Sequence, residues 1–207
     1  MTASRGRLIA LEGIDGCGKS TQARILADRL DAVPTFEPGA TPLGASLRTL
    51  LLDRDGAPVS TRAEALLMAA DRAQHVAEVI VPALEAGRWV VTDRYAASTL
   101  AYQGSGRGLD RGELATLVDW ATGGLRPDLT VLLDVPVDVA AHRRGDDVDR
   151  MEGEGLAFQR RVADGYHELA AAGDGSWLVV DADGSVARIA GVIWEAVSAL
   201  AGPGGAR

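Results

Sequence analysis

The stretch Gly13-Ile14-Asp15-Gly16-Cys17-Gly18-Lys19-Ser20 decides the fold of this chain. It satisfies the Walker A pattern, and it lies between an apolar run that is typical of a strand and a helical pattern that begins near Lys19. Glycine at positions 13, 16 and 18 lets backbone N–H groups turn inward around phosphate oxygens, and the following helix adds the positive end of its dipole. The sequence therefore predicts a phosphate-binding loop between a strand and a helix.

Two side chains of this loop have predicted roles toward a bound nucleotide. We expect Lys19 to reach the β and γ phosphates of ATP and the Ser20 hydroxyl to ligate Mg²⁺. A chance glycine turn before a helix is the structural alternative. GTPases, transport ATPases and small-molecule kinases share the motif, so it indicates the nucleotide and leaves the reaction open. The residues predicted to surround the ATP phosphates are Gly13, Ile14, Asp15, Gly16, Cys17, Gly18, Lys19, Ser20 and Thr21.

Five short apolar runs predict the sheet. Their hydrophobicity is continuous rather than alternating, which is typical of parallel strands covered on both faces by crossover helices. We therefore predict an α/β fold, a three-layer sandwich with a five-stranded parallel sheet. A long helical pattern, Thr61 to Ala86, separates the second and third runs and ends before Gly87. The five runs are Leu8–Leu11, Val33–Phe36, Trp89–Thr92, Leu129–Val135 and Trp177–Val180.

Length, charge and cysteine content restrict the class of protein. With 207 residues, 47% hydrophobic content and a formal net charge of −8, the chain fits a single domain, 1–207, and a binder of duplex nucleic acid is disfavoured. Cys17 is the single cysteine, so no intramolecular disulfide can form. Met1 to Arg7 is polar, and no apolar run approaches the roughly 20 residues of a membrane span. We expect a cytoplasmic protein that binds neither nucleic acid nor membrane.

Further motifs follow the loop in a fixed order and, taken together, resemble the thymidylate kinase family. The resemblance implies a fold like that of P-loop nucleoside monophosphate kinases and a transfer of the ATP γ-phosphoryl group to dTMP. It also implies Mg²⁺ as cofactor and a homodimer. The motifs are Asp93-Arg94-Tyr95, the run Ala96 to Gly104, Gly106-Arg107-Gly108, Glu37-Pro38-Gly39, the runs Leu47 to Asp53 and Ala69 to His75, and Asp149-Arg150-Met151-Glu152.

Asp93 and Arg94 follow the third apolar run and are predicted to face the phosphate-binding loop. Both fall at the carboxyl end of a parallel strand, where open α/β sheets bind their ligands. By resemblance, Arg94 bridges toward the phosphate that accepts the transferred group, and Asp93 organises Mg²⁺ and water near that group. A salt bridge at the strand end is the structural alternative for each residue.

The resemblance also implies how the acceptor is bound. It assigns Arg72 a hydrogen bond to thymine O4, with Thr99 and Gln103 in the same pocket, and it assigns Asp15 to the acceptor 3′-hydroxyl. A Tyr102 ring packed near the ribose 2′ position would exclude a hydroxyl there and select deoxy sugars. The structural alternatives are a solvated helix residue for Arg72, a core aromatic for Tyr102 and a turn cap for Asp15.

Two acceptor-side positions depart from the family pattern. Phe36 precedes Glu37 where the family commonly has an arginine, so the predicted clamp on the monophosphate consists of Arg48 and Arg94. Met68 stands where the family tends to place a phenylalanine that stacks on thymine, and methionine packs on a ring more adaptably. Both departures predict weaker dTMP binding and less strict selectivity for thymine.

Phosphoryl transfer requires cations around the transferred group, because catalysis is mostly alignment and charge neutralisation. The phosphate-binding loop contains no arginine, so we expect the lid segment, residues 142–153, to supply one. Arg143, Arg144 and Arg150 are the candidates. A solvated charged loop is the alternative interpretation of this segment.

Two other functions remain open at this stage. Another deoxynucleoside or nucleoside monophosphate kinase would share the loop, the lid arginines and the strand-end carboxylate. A non-catalytic nucleotide-binding paralogue would fit the altered positions Phe36 and Met68, although intact Lys19 and Asp93 speak against it. Cys17 is interpreted as a small filler, with oxidative control as the alternative, since a thiol near a helix N-terminus can have a lowered pKa.

Overall fold

Five strands form one parallel sheet in the order β2-β3-β1-β4-β5. The structure is a computed structural model and describes residues 5–144, 150–151, 154–173 and 175–201. Each predicted apolar run forms a strand whose ends lie within one residue of the predicted bounds, so the predicted sheet is confirmed. The strands are β1 (Leu8–Glu12), β2 (Val33–Phe36), β3 (Val90–Asp93), β4 (Leu129–Asp134) and β5 (Trp177–Asp181).

The sheet is covered on both faces, as continuous hydrophobicity predicted. Alternate residues of β1 point to opposite faces of the sheet. Ile9 and Leu11 belong to one buried cluster, whereas Leu8 and Ala10 belong to another that also contains Ile80 from a helical segment. Two apolar clusters separated by one sheet are the packing of a three-layer sandwich.

The helices begin and end where the sequence provides capping groups. Thr41, Ser60 and Asp110 each accept a backbone N–H of the first turn through the side chain, and Gly123 ends a helix in the left-handed conformation. The α-helices are α1 (Lys19–Leu30), α2 (Pro42–Leu52), α3 (Thr61–His75), α4 (Val81–Glu85), α5 (Ala96–Thr99), α6 (Arg111–Thr122), α7 (Val137–Arg144), α8 (Leu156–Ala172) and α9 (Val186–Ala201).

Two π-helical segments interrupt the helical pattern. The long predicted helix from Thr61 to Ala86 is present, but the π-helical turn Val76–Ile80 joins α3 to α4. This turn ends two residues before Pro82, which has no N–H to donate and whose ring collides with a carbonyl of a regular preceding turn. The second π-helical segment, Leu100–Gly106, follows α5 and contains Tyr102 and Gln103.

The register of the sheet determines where the functional residues meet. Leu11 of β1 is paired with Asp93 of β3, so the loop after β1 and the residues after β3 leave the sheet at the same edge. Helix α1 begins at Lys19 on this edge. Among the described residues, none of the helices has both the length and the apolar character needed to cross a membrane.

Candidate active site

A cleft of about 980 Å³ opens at the carboxyl edge of the sheet. Its walls come from the phosphate-binding loop, the end of β2, helices α2 and α3, the end of β3 and the segment Leu100–Gly106. Most of the predicted site residues line this one cleft. They are Asp15, Gly16, Gly18, Lys19, Ser20, Thr21, Glu37, Arg48, Met68, Arg72, Asp93, Arg94, Thr99, Tyr102 and Gln103.

The phosphate-binding loop has a backbone that only glycine adopts readily. Gly13 has a φ of 140° and Gly16 a φ of 89°, and a side chain at Gly16 would lie 2.2 Å from the carbonyl oxygen of Ala140. Lys19 turns back over the loop, where its Nζ donates to Ile14 O at 2.9 Å. The lysine is 6% exposed, so its charge lies in the cleft wall rather than in solvent.

Ser20 and Asp93 join the first turn of α1 to the end of β3. The Ser20 hydroxyl donates to Asp93 Oδ2. The other carboxylate oxygen, Oδ1, is buried and has no hydrogen-bond partner within the described part of the chain. A hydroxyl and a carboxylate with a free oxygen are hard oxygen ligands of the kind that Mg²⁺ prefers, directly or through water.

Arg94 lines the cleft and contacts both the phosphate-binding loop and Tyr102. Its φ of 74° is in the left-handed region, which is unusual for a residue with a side chain. The guanidinium forms an ion pair with Asp15 and donates to Tyr102 Oη at 3.0 Å and to Gly13 O at 3.3 Å. Burial acts to raise the pKa of Asp15, but the charges of Arg94 and Lys19 hold this pKa well below its usual range.

Behind Arg94 lies a fully buried carboxylate that the sequence analysis did not select. Glu12, the last residue of β1, accepts the backbone N–H of Tyr95 at 2.9 Å, the Ser98 hydroxyl at 2.6 Å and the Tyr166 hydroxyl at 2.9 Å. Burial raises the pKa of Glu12, although these hydrogen bonds and the charge of Arg94 oppose the shift. Glu12 therefore fixes the backbone turn from which the Arg94 side chain enters the cleft.

Arg72 is buried, with 2% of its surface exposed, and three hydrogen bonds fix its guanidinium. Nε donates to Glu37 Oε2 at 2.8 Å, Nη1 to Thr99 Oγ1 at 2.8 Å, and Nη2 to Tyr95 O at 2.9 Å. A guanidinium has five N–H donors, so the described residues leave two of them for a further partner. The interpretation of Arg72 as a solvated helix residue is wrong.

Glu37 is in turn held by a second buried side chain. His75 Nδ1 donates to Glu37 Oε1 at 2.9 Å, and His75 Nε2 is hydrogen-bonded to Thr35 Oγ1 at 2.6 Å. Next to this pair, Asp71 accepts the backbone N–H of Gly39 at 2.9 Å, and burial together with the charge of Glu37 raises the Asp71 pKa. The loop after β2 is thereby fastened to α3.

The outer side of the cleft, where the sequence analysis places the acceptor, is formed by Phe36, Arg48 and Met68. Arg48 Nη1 donates to Pro38 O at 2.8 Å, and the guanidinium carbon lies 5.9 Å from the centre of the Phe36 ring. The Phe36 ring is exposed, which leaves it on the surface of the cleft rather than in the core. Met68 is partly buried and lines the same cleft.

Known protein families include one that matches most of this chain. A sequence model of the thymidylate kinase family matches residues 11–192. This chain belongs to the thymidylate kinase family.

Curated relatives cover nearly the whole chain. A thymidylate kinase of Synechococcus sp. (strain CC9902) is 54% identical over 91% of this chain and 95% of its own length. A second, from Cupriavidus necator, is 48% identical over 89% of this chain and 94% of its own length. The chain is accordingly an ATP-dependent nucleoside monophosphate kinase, and neither alternative function of the sequence analysis is favoured.

The three predicted lid arginines of this thymidylate kinase family member lie in three different environments. Arg143 donates to Ala182 O at 3.0 Å, and Arg150 donates to Leu51 O at 2.8 Å. Arg144 packs against the phosphate-binding loop, because a side chain at Gly16 would come within 3.0 Å of Arg144 Cγ. Its Nε and Nη1 are buried and have no hydrogen-bond partner among the described residues. Of the lid segment, residues 145–149 and 152–153 lie outside the described residues.

Cys17 occupies the interior of the loop. Its side chain is 2% exposed, and burial raises the pKa of the thiol despite the charge of Lys19. A buried thiol with a raised pKa is a poor nucleophile. The interpretation of Cys17 as a filler is therefore favoured over oxidative control.

Sequence reasoning did not select three buried residues that support the site, namely Glu12, Glu64 and His75. A charged residue at the end of an apolar strand was a usable signal for Glu12, because a buried charge needs partners. Glu64 and His75 lie on the helical pattern of α3, where a polar residue is ordinary. Nothing in that pattern distinguishes them from solvated residues.

Proposed function

We propose that the chain binds ATP and dTMP at opposite ends of this cleft and transfers the γ-phosphoryl group to the dTMP phosphate, giving ADP and dTDP. The observation that carries the proposal is the position of Arg94. One guanidinium contacts the phosphate-binding loop at Gly13 O and the acceptor side at Tyr102 Oη. A cation between the two ends is suited to hold the donor and acceptor phosphates in line.

At the donor end, the backbone of Gly13 to Thr21 is proposed to surround the ATP phosphates, with Lys19 directed at the β and γ phosphates. Ser20 and Asp93 would hold Mg²⁺, which fits the buried Oδ1 of Asp93, an oxygen that no described residue hydrogen-bonds. A bound Mg²⁺ would neutralise charge on the β and γ phosphates. Arg144 packs beside the loop and its Nε and Nη1 have no hydrogen-bond partner among the described residues, so it is the lid arginine that best suits the transferred phosphoryl group.

At the acceptor end, Arg72 is proposed to donate to thymine O4 through the N–H groups that its protein partners leave free. Thr99 and Gln103 complete this part of the pocket, and Met68 packs on the base. Arg48 joins Arg94 on the monophosphate, with Glu37 holding Arg72 in place.

Two neighbouring side chains are proposed to recognise the sugar. The Tyr102 hydroxyl donates to Asp15 Oδ2 at 2.9 Å, which fixes the ring beside the carboxylate. Asp15 would accept the 3′-hydroxyl of the acceptor, and the Tyr102 ring would exclude a 2′-hydroxyl. Deoxynucleotides would therefore be preferred over ribonucleotides.

A coupled assay of ADP release tests this proposal, with dTMP, dUMP, dCMP and thymidine compared as acceptors at fixed ATP and Mg²⁺. We expect dTMP to have the highest kcat/KM and thymidine to be inactive, because the clamp of Arg48 and Arg94 requires a phosphate. Preferred turnover of dCMP or of thymidine would contradict the assignment of the acceptor.

The chain is further proposed to be a cytoplasmic homodimer. Helix α3 packs beside both α2 and α6, and these helices carry the exposed apolar side chains Leu50, Leu66 and Trp120, the last 82% exposed. Large exposed apolar side chains on neighbouring helices are candidates for burial in a subunit interface.

Light scattering after size exclusion tests the dimer. We expect a mass twice that of the 21.6 kDa chain, and Trp120→Lys should shift the protein toward the monomer. Val192→Lys changes an exposed apolar residue of α9, outside this face, and serves as the control. A wild-type monomer at micromolar concentration would contradict the proposal.

A further inference from the structure

Glu64 is a buried carboxylate behind the acceptor pocket. It lies in the first turn of α3, is 1% exposed and does not line the cleft. Gln103, which does line the cleft, donates through Nε2 to Glu64 Oε1 at 2.9 Å. A buried side chain that receives a bond from a pocket residue can control how that residue faces a ligand.

Two arginines occupy the remaining acceptor positions of Glu64. Arg107 donates through Nε to Oε1 at 3.2 Å and through Nη2 to Oε2 at 3.0 Å, and Arg150 Nη2 donates to Oε2 at 3.3 Å. Both carboxylate oxygens therefore accept hydrogen bonds, and the carboxylate has no proton to donate. The Gln103 amide can face Glu64 only with its NH₂ group.

This constraint fixes the other end of the amide. With Nε2 directed at Glu64, the side-chain carbonyl oxygen of Gln103 faces away from Glu64 and is left as an acceptor. An unconstrained glutamine could equally present its NH₂ group to a ligand, because the two orientations have the same shape. The pocket thus presents donors from Arg72 and an acceptor from Gln103.

We propose that Glu64 is a specificity-determining positioning residue that fixes the Gln103 amide so that the pocket accepts pyrimidines carrying a proton on N3. The inference rests on the proposed function. Thymine and uracil present an acceptor at O4 and a donor at N3, which match Arg72 and Gln103. Cytosine presents a donor at its 4-amino group and an acceptor at N3, so both contacts would be mismatched.

A glutamine at position 64 should reverse this arrangement. Its amide oxygen would take the position of Oε2, because Arg107 and Arg150 both donate there. Its NH₂ group would then face Gln103. Gln103 would then turn its carbonyl oxygen to position 64 and its NH₂ group to the base. The carboxylate of Glu64 has an acceptor oxygen on each side, whereas an amide has an acceptor oxygen on one side only.

The test compares kcat/KM for dTMP and dCMP in wild type, Glu64→Gln and Arg107→Lys. We expect Glu64→Gln to lower the dTMP:dCMP ratio by at least about tenfold, the size of effect typical of one base-reading pair. Arg107→Lys leaves the bond between Glu64 and Gln103 in place and should keep the wild-type ratio. An unchanged ratio in Glu64→Gln would overturn the inference, since a merely structural role would lower both activities together.

The double variant Glu64→Gln/Gln103→Glu provides a rescue and keeps the net charge. The amide introduced at position 64 would donate to the carboxylate introduced at position 103, which again presents an acceptor to the base. We expect the dTMP:dCMP ratio to return to within about threefold of wild type. If Glu64→Gln does not fold, the double variant alone tests the inference. A dTMP:dCMP ratio that stays below the wild-type range in the double variant would then overturn it. A wild type that phosphorylates no pyrimidine monophosphate would instead refute the proposed function.

Discussion

The two ends of the cleft are built in different ways. The donor end is one contiguous loop, Gly13 to Ser20, in which glycine conformations and a helix N-terminus supply most of the binding surface. The acceptor end is assembled from side chains of α2, α3, the end of β3 and the segment Leu100–Gly106. The proposed donor site therefore depends on local backbone geometry, and the proposed acceptor site depends on tertiary packing.

This difference follows from three buried carboxylates, which hold polar groups of the cleft in place. Glu12 fixes the turn that carries Arg94, Glu37 holds Arg72, and Glu64 holds Gln103. Each is at most 5% exposed, and each orients a polar group of the cleft. Substitutions at the donor end should therefore remove chemistry, whereas substitutions behind the acceptor end should change affinity and selectivity.

The largest expected effect is at the donor end. Lys19→Met should lower kcat by roughly a thousandfold, because it removes a preorganised charge at the transferred phosphoryl group. The dissociation constant for dTMP, measured by calorimetry, should change little. Arg29→Met, on the same helix but stacked on Trp194, serves as the control and should keep kcat. A wild-type kcat in Lys19→Met would remove the lysine from the transfer step.

A smaller effect is expected behind the acceptor end. Glu37→Gln replaces the ion pair with Arg72 by a weaker hydrogen bond to a neutral amide oxygen, so the KM for dTMP should rise by about tenfold while the KM for ATP stays unchanged. Steady-state kinetics with each substrate varied in turn measures both. Glu78→Gln is the control, because it alters an exposed carboxylate of the helical stretch that also contains Arg72. It should leave both KM values unchanged. Equal changes in both constants would contradict the separation of the two ends.

Met68 offers a gain rather than a loss. Met68→Phe should lower the KM for dTMP by about threefold, because an aromatic ring stacks on the base more favourably than a flexible thioether. Steady-state kinetics with dTMP as the varied substrate measures this KM. An unchanged or higher KM would mean that Met68 does not lie over the base.

The smallest effect appears only in acid and concerns Asp15, where the two ends meet. Its pKa in the folded protein lies below the ordinary value of 3.8, so the unfolded state binds its proton first as the pH falls. Asp15 therefore stabilises the fold above that value and loses this contribution below it. Chemical unfolding should show a shallower loss of stability in Asp15→Asn than in wild type as the pH falls below 3.8. Parallel curves of unfolding free energy against pH for the two proteins would contradict the lowered pKa of Asp15.

The fold and the donor end could be predicted from the sequence because their signals are local. Continuous apolar runs predicted the strands, and the spacing of Gly13, Gly16, Gly18 and Lys19 identified the loop. Arg72 and Gln103, the residues proposed to bind the acceptor base, were predicted only through resemblance to a family. The supporting residues Glu12, Glu64 and His75 were missed, because their partners lie 30 or more positions away in the chain.

The lid shows the same limit. Three arginines within eight positions looked equivalent in the sequence, yet Arg143 binds Ala182 O, Arg150 binds Leu51 O and Arg144 packs on the loop. Their separate environments depend on α7 and on the packing of neighbouring elements. Sequence spacing contains no such information.

The central claim is that donor and acceptor ends form one transfer site, and the stoichiometry of the reaction tests it most directly. ADP and dTDP should be quantified by chromatography after incubation with ATP and Mg²⁺, with and without dTMP. The account predicts negligible ADP without dTMP and equal amounts of ADP and dTDP with it. ADP formed at the same rate in both mixtures, or no dTDP in either, would contradict it.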